Sequence, residues 1–282
     1  MLERRRLFGA VLGLATAGCA APATRTDQPS ATPPASSAPA SAAPPGASSS
    51  APPDRAAVVA RYAGLAPAQW GTEVTGVRTT TSGTALALTF DACGGPGGDG
   101  YDAELIGVLR RLAVPATLFL NARWIDANPG PFHELAADPL FELGNHGTAH
   151  RPLSVTGRAA YGITGTADAG AVYDEVAGNH AKLTALLGRP PRYFRSGTAH
   201  YDEIATRIVA DLGEGVAGFS VNGDAGATFT AEQVRRTVAA AGPGAIVIGH
   251  VNHPGSGTAP GFAAALPALL DAGRRFRRLS DD

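Results

Sequence analysis

TALALTFD, residues 84–91, is a short apolar run that ends in a carboxylate, Asp91, and similar runs recur along the chain. Comparable runs precede His146, Arg195 and His250. Apolar runs of this length that alternate with helical patterns are typical of buried parallel strands. In a barrel of such strands, residues at the strand ends converge on one face, where catalysis usually takes place. The pattern therefore predicts an α/β fold with a polar site at one rim.

The predicted architecture rests on seven strand-like runs and the helical patterns between them. The runs fall near residues 84–91, 116–121, 141–145, 192–195, 216–221, 245–249 and 275–279. The helical patterns cover residues 102–112, 169–187, 201–212, 231–240 and 261–272, after a short helical lead-in at 55–72. This alternation predicts a parallel sheet. Polar residues recur at many strand ends and not at one switch point, so a closed or nearly closed barrel is favoured over an open sheet.

The N-terminus has the features of an export signal. Residues 1–6, MLERRR, are followed by an apolar or small stretch from residue 7 to residue 18. A basic start, an apolar stretch and small residues at its end are typical of a secretory signal. The stretch is shorter than the about 20 residues that cross a membrane as a helix. Arg4-Arg5 also resembles a twin-arginine signal. Residues 1–19 are therefore predicted to be a signal peptide.

Cys19 is a candidate site of lipid attachment. It follows Ala17-Gly18, as in the bacterial lipoprotein box, in which the cysteine is lipidated and becomes the mature N-terminus. Ordinary signal cleavage nearby, which would discard Cys19, stays open as the alternative. With lipidation, we expect an exported protein that is anchored to the cell membrane and faces the cell wall or periplasm.

Composition divides the rest of the chain. Residues 20–54 contain no aromatic or large aliphatic side chain and are rich in alanine, proline and serine. Such a segment cannot bury enough surface to offset its ordering entropy, so we expect a disordered linker. Residues 55–79 are predicted to be a lead-in segment and residues 80–282 the functional domain. The net charge of −1 gives no indication of a nucleic-acid partner, and we expect a monomer.

The segment HGTAH, residues 146–150, is a candidate metal site. It places His146 and His150 four residues apart, and on a helical turn this spacing directs both imidazoles to one point, as Zn²⁺ or a similar cation requires. A zincin would carry glutamate directly after the first histidine, where this chain has Gly147. Together with Asp91 and His250, the pair predicts a metal-assisted hydrolase.

Two features near Asp91 are given structural interpretations. Residues 95–100, GPGGDG, satisfy G-x-G-x-x-G, but the next predicted strand ends at Leu120-Asn121 without the acidic residue of a dinucleotide site. A rim loop is therefore favoured. Cys93 follows Asp91 closely, yet nothing in the local sequence indicates a lowered thiol pKa. We interpret it as a loop thiol without a catalytic role.

The ordered set of motifs resembles the polysaccharide deacetylase family, also called the NodB-homology group or carbohydrate esterase family 4. The motifs are LTFD (88–91), HGTAH (146–150), FR (194–195), Asp224 and IGH (248–250). The resemblance covers roughly residues 80–282. It implies a distorted (β/α) barrel and a divalent metal, usually Zn²⁺. It also implies removal of N- or O-acetyl groups from sugars in peptidoglycan, chitin or other polysaccharides, so the expected partner is a polysaccharide.

The resemblance also implies roles for individual residues. By position, Asp91 corresponds to the catalytic base and Arg195 to the residue that holds this base in place. His146 and His150 correspond to the metal-binding pair.

A second group of residues would supply the proton for the leaving group. His250 corresponds to the general acid, and Asp224 to the carboxylate that orients it. His253 lies three residues further and is an alternative to His250 as the acid.

The chain departs from the family pattern at Ala92. The family usually has a second aspartate there, which is a metal ligand. Asp91 could bind the metal instead, which would leave Asp99 or Asp102 as candidate bases. Alternatively, water could fill the vacant position while Asp91 stays the base. The metal could also be lost, leaving a wall- or glycan-binding module. Residues 196–198, SGT, depart as well, since prolines and an aromatic residue are common there.

Two further questions stay open from the sequence. An amidohydrolase that acts on a small non-sugar amide is a rival, although the export signal and linker would place the domain among wall polymers. Trp70, Trp124 and Tyr201 could stack against sugars, but aromatic residues are more often part of a core.

Overall fold

The computed structural model describes residues 52–282. The predicted signal peptide, Cys19 and nearly all of the predicted linker lie outside the described residues. Within residues 52–282, no helix combines the length and the apolar character that crossing a bilayer requires.

A nine-stranded parallel sheet forms the frame of the domain. Its strands are β1 (Val77–Arg78), β2 (Leu86–Ala92), β3 (Ala116–Leu120), β4 (Phe141–Asn145), β5 (Tyr193–Phe194), β6 (Gly215–Ala217), β7 (Val221–Asn222), β8 (Ile246–His250) and β9 (Phe276–Arg277). The strand order is β1-β6-β5-β4-β3-β2-β8-β7, and β9 pairs with β2. The result is a parallel-strand half-barrel in which β2 pairs with β3, β8 and β9. It confirms the predicted distorted (β/α) barrel.

Eight α-helices connect or flank these strands in the described part of the chain. They are α1 (Arg55–Tyr62), α2 (Ala103–Arg111), α3 (Ala122–Ala127), α4 (Pro129–Ala137), α5 (Ala169–Leu187), α6 (Glu203–Asp211), α7 (Ala231–Ala239) and α8 (Thr258–Asp271). Aspartate side chains begin several of them. Asp102, Asp168 and Asp202 each accept an N–H three residues on, at 2.8–3.0 Å. These bonds satisfy backbone donors that the first helical turn leaves free.

The pleat of β2 separates two apolar layers. Its even-numbered residues, from Leu86 to Ala92, pack in the large core that the helices cover. The odd-numbered Ala87 packs instead with Phe119, Ala217 and Ile246 inside the half-barrel. Since neighbouring side chains in a strand point to opposite faces, Asp91 belongs to the inner layer. The sequence pattern therefore brings Asp91 to the inner side of the rim.

The helices of the structure differ from the predicted helices in two places. The lead-in helix predicted at 55–72 ends at Tyr62. Helices α3 and α4 were not predicted, because α3 has only six residues and neither helix carries a long apolar repeat. Strand β1 lies in the predicted lead-in segment and pairs with β6. The boundary near residue 80 stays a prediction.

Substitution of Phe262 by alanine should test the packing of α8 against the sheet. The Phe262 ring is fully buried, and its centroid lies 5.0 Å from that of Phe90 in an edge-on arrangement. Phe262→Ala should lower the free energy of unfolding by about 3–5 kcal/mol, because it leaves a cavity in the core. Chemical denaturation measures the change. Leu186→Ala, at a side chain that is 44% exposed, is the control and should change it by less than about 0.5 kcal/mol.

Candidate active site

Arg195 and Asp91 form a buried ion pair inside the half-barrel. Arg195 directly follows β5, and its Nη1 donates to Asp91 Oδ1 at 2.9 Å. Its Nε and Nη2 donate to the carbonyl oxygens of Ala217 and Gly218 at 3.0 and 2.8 Å. The guanidinium also lies over the Phe119 ring, 4.3 Å from its centroid. Because the guanidinium is held on several sides, it fixes the position of the carboxylate.

The surroundings of Asp91 keep it charged. Burial raises the pKa of this carboxyl, but the charges of Arg195, His146 and His250 outweigh burial, and the pKa lies below its ordinary value. The second oxygen, Oδ2, is 3.7 Å from His146 Nε2. One carboxylate oxygen is therefore held by Arg195, while the other faces the histidine site.

The HGTAH segment brings its two imidazoles together in a loop. The sequence interpretation of a helical turn is wrong, because the segment follows β4 as irregular backbone. Gly147 and His150 have φ values of 78° and 62°. These left-handed positions turn the chain so that the rings of His146 and His150 meet, with centroids 5.0 Å apart and planes at 83°. The expected convergence is present, but two positive φ angles produce it.

Glu175 of α5 holds this loop in shape. Its buried carboxylate accepts the N–H groups of Ala149, at 3.0 and 3.1 Å, and of Arg151, at 3.2 Å. Its backbone carbonyl accepts the N–H of Thr148 at 3.0 Å. Gly147 has a positive φ, and a Cβ atom there would collide with Glu175 Oε1, so any other residue would be strained and would displace this carboxylate. Sequence reasoning missed Glu175, since nothing in its local pattern connects it to residues 146–150.

Three donor atoms converge beside Asp91. Cys93, His146 and His150 each offer one, and these atoms lie within 4.8 Å of one another. The Nδ1–H of the buried His146 donates to the Arg195 carbonyl at 2.9 Å, so Nε2 is the atom directed towards Cys93 and Asp91, and its lone pair is available when the ring is neutral. The Nε2 of His150 is buried and has no hydrogen-bond partner in the described structure. Two imidazoles and a thiol that converge in a partly buried cluster fit a divalent cation.

Cys93 is the member of this cluster that sequence reasoning missed. Its Sγ is 3.9 Å from His146 Nε2, and the residue is half-buried. Burial raises the pKa of the thiol, but His146, His150 and His250 lower it well below its ordinary value. The interpretation as an ordinary loop thiol overlooked imidazoles that are distant in sequence. The only available signal was the position of Cys93, two residues after Asp91.

His250 lies beside Asp91 and forms a pair with Asp224. The Cα atoms of Asp91 and His250 are register partners on β2 and β8. His250 Nδ1–H donates to Asp224 Oδ1 at 2.8 Å, and the His250 amide donates to Oδ2 at 2.7 Å. Burial lowers the pKa of His250, but this hydrogen bond and Cys93 raise it well above its ordinary value. His250 is therefore held as a cation, with its Nε2 free for proton transfer.

The alternatives to these residues have other partners. His253 Nε2 lies 3.3 Å from the side-chain nitrogen Nδ2 of Asn252, whereas Asp224 forms its hydrogen bond with His250. Asp99 accepts the amide of Gly95, and Asp102 caps α2. The bond to Asp224 thus distinguishes His250 from His253. Asp99 and Asp102 both make local bonds, in or next to the glycine-rich loop of residues 95–100.

These groups border one cleft of about 630 Å³. Asp91, Cys93, His150 and His250 line it, and the glycine-rich loop forms one side. Tyr161, which is 81% exposed, stands at its edge.

The aromatic residues singled out in the sequence lie elsewhere. Trp124 and Tyr201 are fully buried, so they belong to the core and cannot stack against a ligand. Trp70 lies beside His200, with ring centroids 5.9 Å apart. The exposed aromatic ring at the cleft is Tyr161, which sequence reasoning missed.

Comparison with known proteins identifies one family. Residues 78–216 match the family model described as polysaccharide deacetylase. None of the curated protein sequences matches the chain.

Solved structures share the fold at low identity. One is a carbohydrate esterase family 4 pseudoenzyme from Bacillus anthracis, with 20% identity, a TM-score of 0.59 and coverage of 77% of this chain and 69% of that chain. A mutant described as a pseudoenzyme of this family with restored activity has 21% identity, the same TM-score and coverage of 77% and 71%. A peptidoglycan N-acetylglucosamine deacetylase has 19% identity, a TM-score of 0.59 and coverage of 73% and 92%.

Removal of the Glu175 carboxylate should loosen the HGTAH loop. Glu175→Ala leaves the amides of Ala149 and Arg151 without their acceptor, at a cost of about 1–3 kcal/mol for these part-buried hydrogen bonds to a carboxylate. Hydrogen exchange at these two amides should speed up by roughly tenfold or more. Asp174→Ala removes the neighbouring exposed carboxylate, which pairs with Arg55, and should leave their exchange unchanged. Equal protection in both variants would contradict this role of Glu175.

Proposed function

Since the chain belongs to the polysaccharide deacetylase family, whose enzymes hydrolyse carbon–nitrogen bonds other than peptide bonds, we propose that it removes acetyl groups from a polysaccharide with the aid of a divalent metal ion. One observation carries the proposal. Asp91, which is paired with Arg195, and His250, which is paired with Asp224, lie on neighbouring strands and face the same cleft as His150. A charged base and a protonated acid on either side of a reacting group are what amide hydrolysis needs.

Asp91 acts as the base. It accepts a proton from the water molecule that attacks the acyl carbonyl. Arg195 keeps the carboxylate charged and also orients it, because Nη1 holds Oδ1 and leaves Oδ2 free.

His250 acts as the acid. Its Nδ1–H is bonded to Asp224, so the proton on Nε2 is the one available to the leaving nitrogen. Asp224 also accepts the Thr258 hydroxyl at 2.9 Å, which fixes the carboxylate and therefore the imidazole plane. The leaving amine departs neutral after it receives this proton.

The metal would be held by His146 and His150. Imidazole nitrogens suit Zn²⁺, which we propose as the resident ion. A divalent ion at such a site supplies Lewis acidity, which polarises an acyl carbonyl and lowers the pKa of water.

The cleft and its edge support a sugar polymer as substrate. The cleft is open at the rim, and the Tyr161 ring stands at its edge, where an aromatic face can pack against the apolar face of a sugar ring. An export signal and a lipid anchor at Cys19, proposed from the sequence, would place the domain among cell-wall polymers.

Acetate release tests the proposed activity directly. The full chain, loaded with Zn²⁺, should release acetate from at least one of peptidoglycan, chitin oligomers and acetylated xylan, and a chelator should abolish the release. His250→Ala should lower turnover by about 10²- to 10⁴-fold, because the leaving group loses its acid. Metal content should not change. His253→Ala is the matched control and should stay near wild type.

Two results would contradict this assignment. Equal losses in the two histidine variants would remove His250 from its role. Acetate release from none of the polymers by the metal-loaded protein would favour an amidohydrolase of small amides.

A second candidate is a glycan-binding domain without catalysis. Ala92 favours it, because the family usually has a metal-binding aspartate at this position. Retained binding of a polysaccharide, with no stoichiometric metal and no acetate release, would support this candidate over the enzyme.

The pH dependence of activity should report the pair of His250 and Asp224. The acid must be protonated, so kcat/KM should fall as the pH rises through the raised pKa of His250. Asp224→Asn removes the negative charge that favours the cation, so the pKa of His250 falls and the alkaline limb moves to lower pH. Glu232→Gln, which changes an exposed carboxylate on α7, is the control and should leave the limb in place. An unmoved limb in Asp224→Asn would exclude His250 as the titrating acid.

A further inference from the structure

We infer that Cys93 Sγ is the third protein ligand of the metal, in place of the carboxylate that Ala92 cannot provide. The inference rests on the proposed function, since it assigns a ligand to the same site. It makes the site a thiolate with two imidazoles, Cys93 with His146 and His150.

Strand geometry accounts for the position of Cys93, and not Ala92, at the site. Ala92 is the last residue of β2, is fully buried and packs in the large core. Asp91 lies on the opposite face of the strand, where Arg195 holds it. Cys93 continues the alternation on the side of Asp91. A donor two residues after Asp91 therefore lies on the side of the site, whereas the short Ala92 side chain packs in the core and offers no donor.

The observed distances suit coordination. Cys93 Sγ and His146 Nε2 are 3.9 Å apart, although the residues are 53 positions apart in sequence. A tetrahedral zinc ion with a Zn–S bond of about 2.3 Å and a Zn–N bond of about 2.0 Å holds sulfur and nitrogen roughly 3.5 Å apart. A shift of a few tenths of an ångström would bring both atoms to bonding distance. The donor atom of His150 lies within 4.8 Å of both.

The two histidines supply independent support. His146 is fully buried, and the Arg195 carbonyl fixes its ring with Nε2 directed towards Cys93. A backbone carbonyl that accepts the second ring N–H is the usual outer partner of a metal-binding histidine. His150 has a buried Nε2 without a partner in the described residues, which a bound cation would satisfy.

The assignment leaves Asp91 free to act as the base. A thiolate carries the same charge as the missing carboxylate, so the net charge of the ligand set is preserved. Sulfur also changes the preference of the site, because thiolates select zinc and cobalt over hard ions such as Mg²⁺ and Mn²⁺.

Cobalt absorption tests the ligand without relying on activity. The metal-free full chain titrated with Co²⁺ should show the near-ultraviolet absorption of sulfur-to-cobalt charge transfer at one ion per chain. Cys93→Ala should lose this band. It should also bind the ion more weakly by over about 10²-fold, since losing even an outer partner of a ligand costs about 10–100-fold.

Two further variants test whether the thiolate of Cys93 itself binds the ion. Cys19→Ser changes the other cysteine of the chain and should keep both the band and the affinity. Cys93→Asp should lack the band but regain most of the affinity, because a carboxylate can take the same coordination position. Circular dichroism verifies that each variant is folded.

The outcomes distinguish this inference from the proposed function. Stoichiometric Co²⁺ binding without a sulfur band, or a band that persists in Cys93→Ala, would overturn the thiolate ligand. Acetate release by the same preparation would then show that the deacetylase proposal survives. Absence of metal binding would overturn the ligand assignment. Acetate release in the presence of a chelator would then show that the protein deacetylates without a metal ion.

Discussion

The candidate site depends on the buried contact between Arg195 and Asp91. An unpaired carboxylate in this position would be costly, because burial disfavours its charged form. Arg195 compensates with a direct bond, while the sheet and the Phe119 ring hold the guanidinium in place. The backbone carbonyl of Arg195 also orients His146, whose Nδ1–H it accepts. Arg195, one residue after a two-residue strand, thus fixes both Asp91, the proposed base, and His146, one donor of the candidate metal site, so the two cannot move independently.

The sequence predicted those parts of the fold that follow from periodicity. The central runs correspond to β2, β4 and β8, because buried parallel strands require continuous apolar residues. The polar residues at their ends meet for the same topological reason. Tertiary contacts determine the rest. The α3 and α4 segments have no long repeat, and the HGTAH loop takes its shape from Glu175, which is distant in sequence. The environment of Cys93 likewise depends on imidazoles that only the fold brings near.

The alternation of side chains along β2 explains how a metal-binding site could form although Ala92 replaces the usual aspartate. The alternation in β2 assigns Ala92 to the core and places Asp91 and Cys93 on the site side. With Cys93 as the inferred ligand, a metal could bind without the usual second aspartate, and Asp91 would not need to become a ligand. The family relationship provides the reaction type, whereas the local geometry indicates how this chain would carry it out.

The hydrogen bonds from the HGTAH loop to Glu175 also bear on how the donor atoms are brought together. Residues 146–150 adopt left-handed backbone angles that the carboxylate of α5 stabilises, and Cys93 approaches from another strand. The position of the donors therefore depends both on the contact with α5 and on the sheet. In a zinc finger, by contrast, the ion itself drives folding. Under the proposed function the ion would instead enter a finished scaffold, so its removal would abolish activity while leaving the protein folded, and a metal-free pool could be reactivated by supplying the ion.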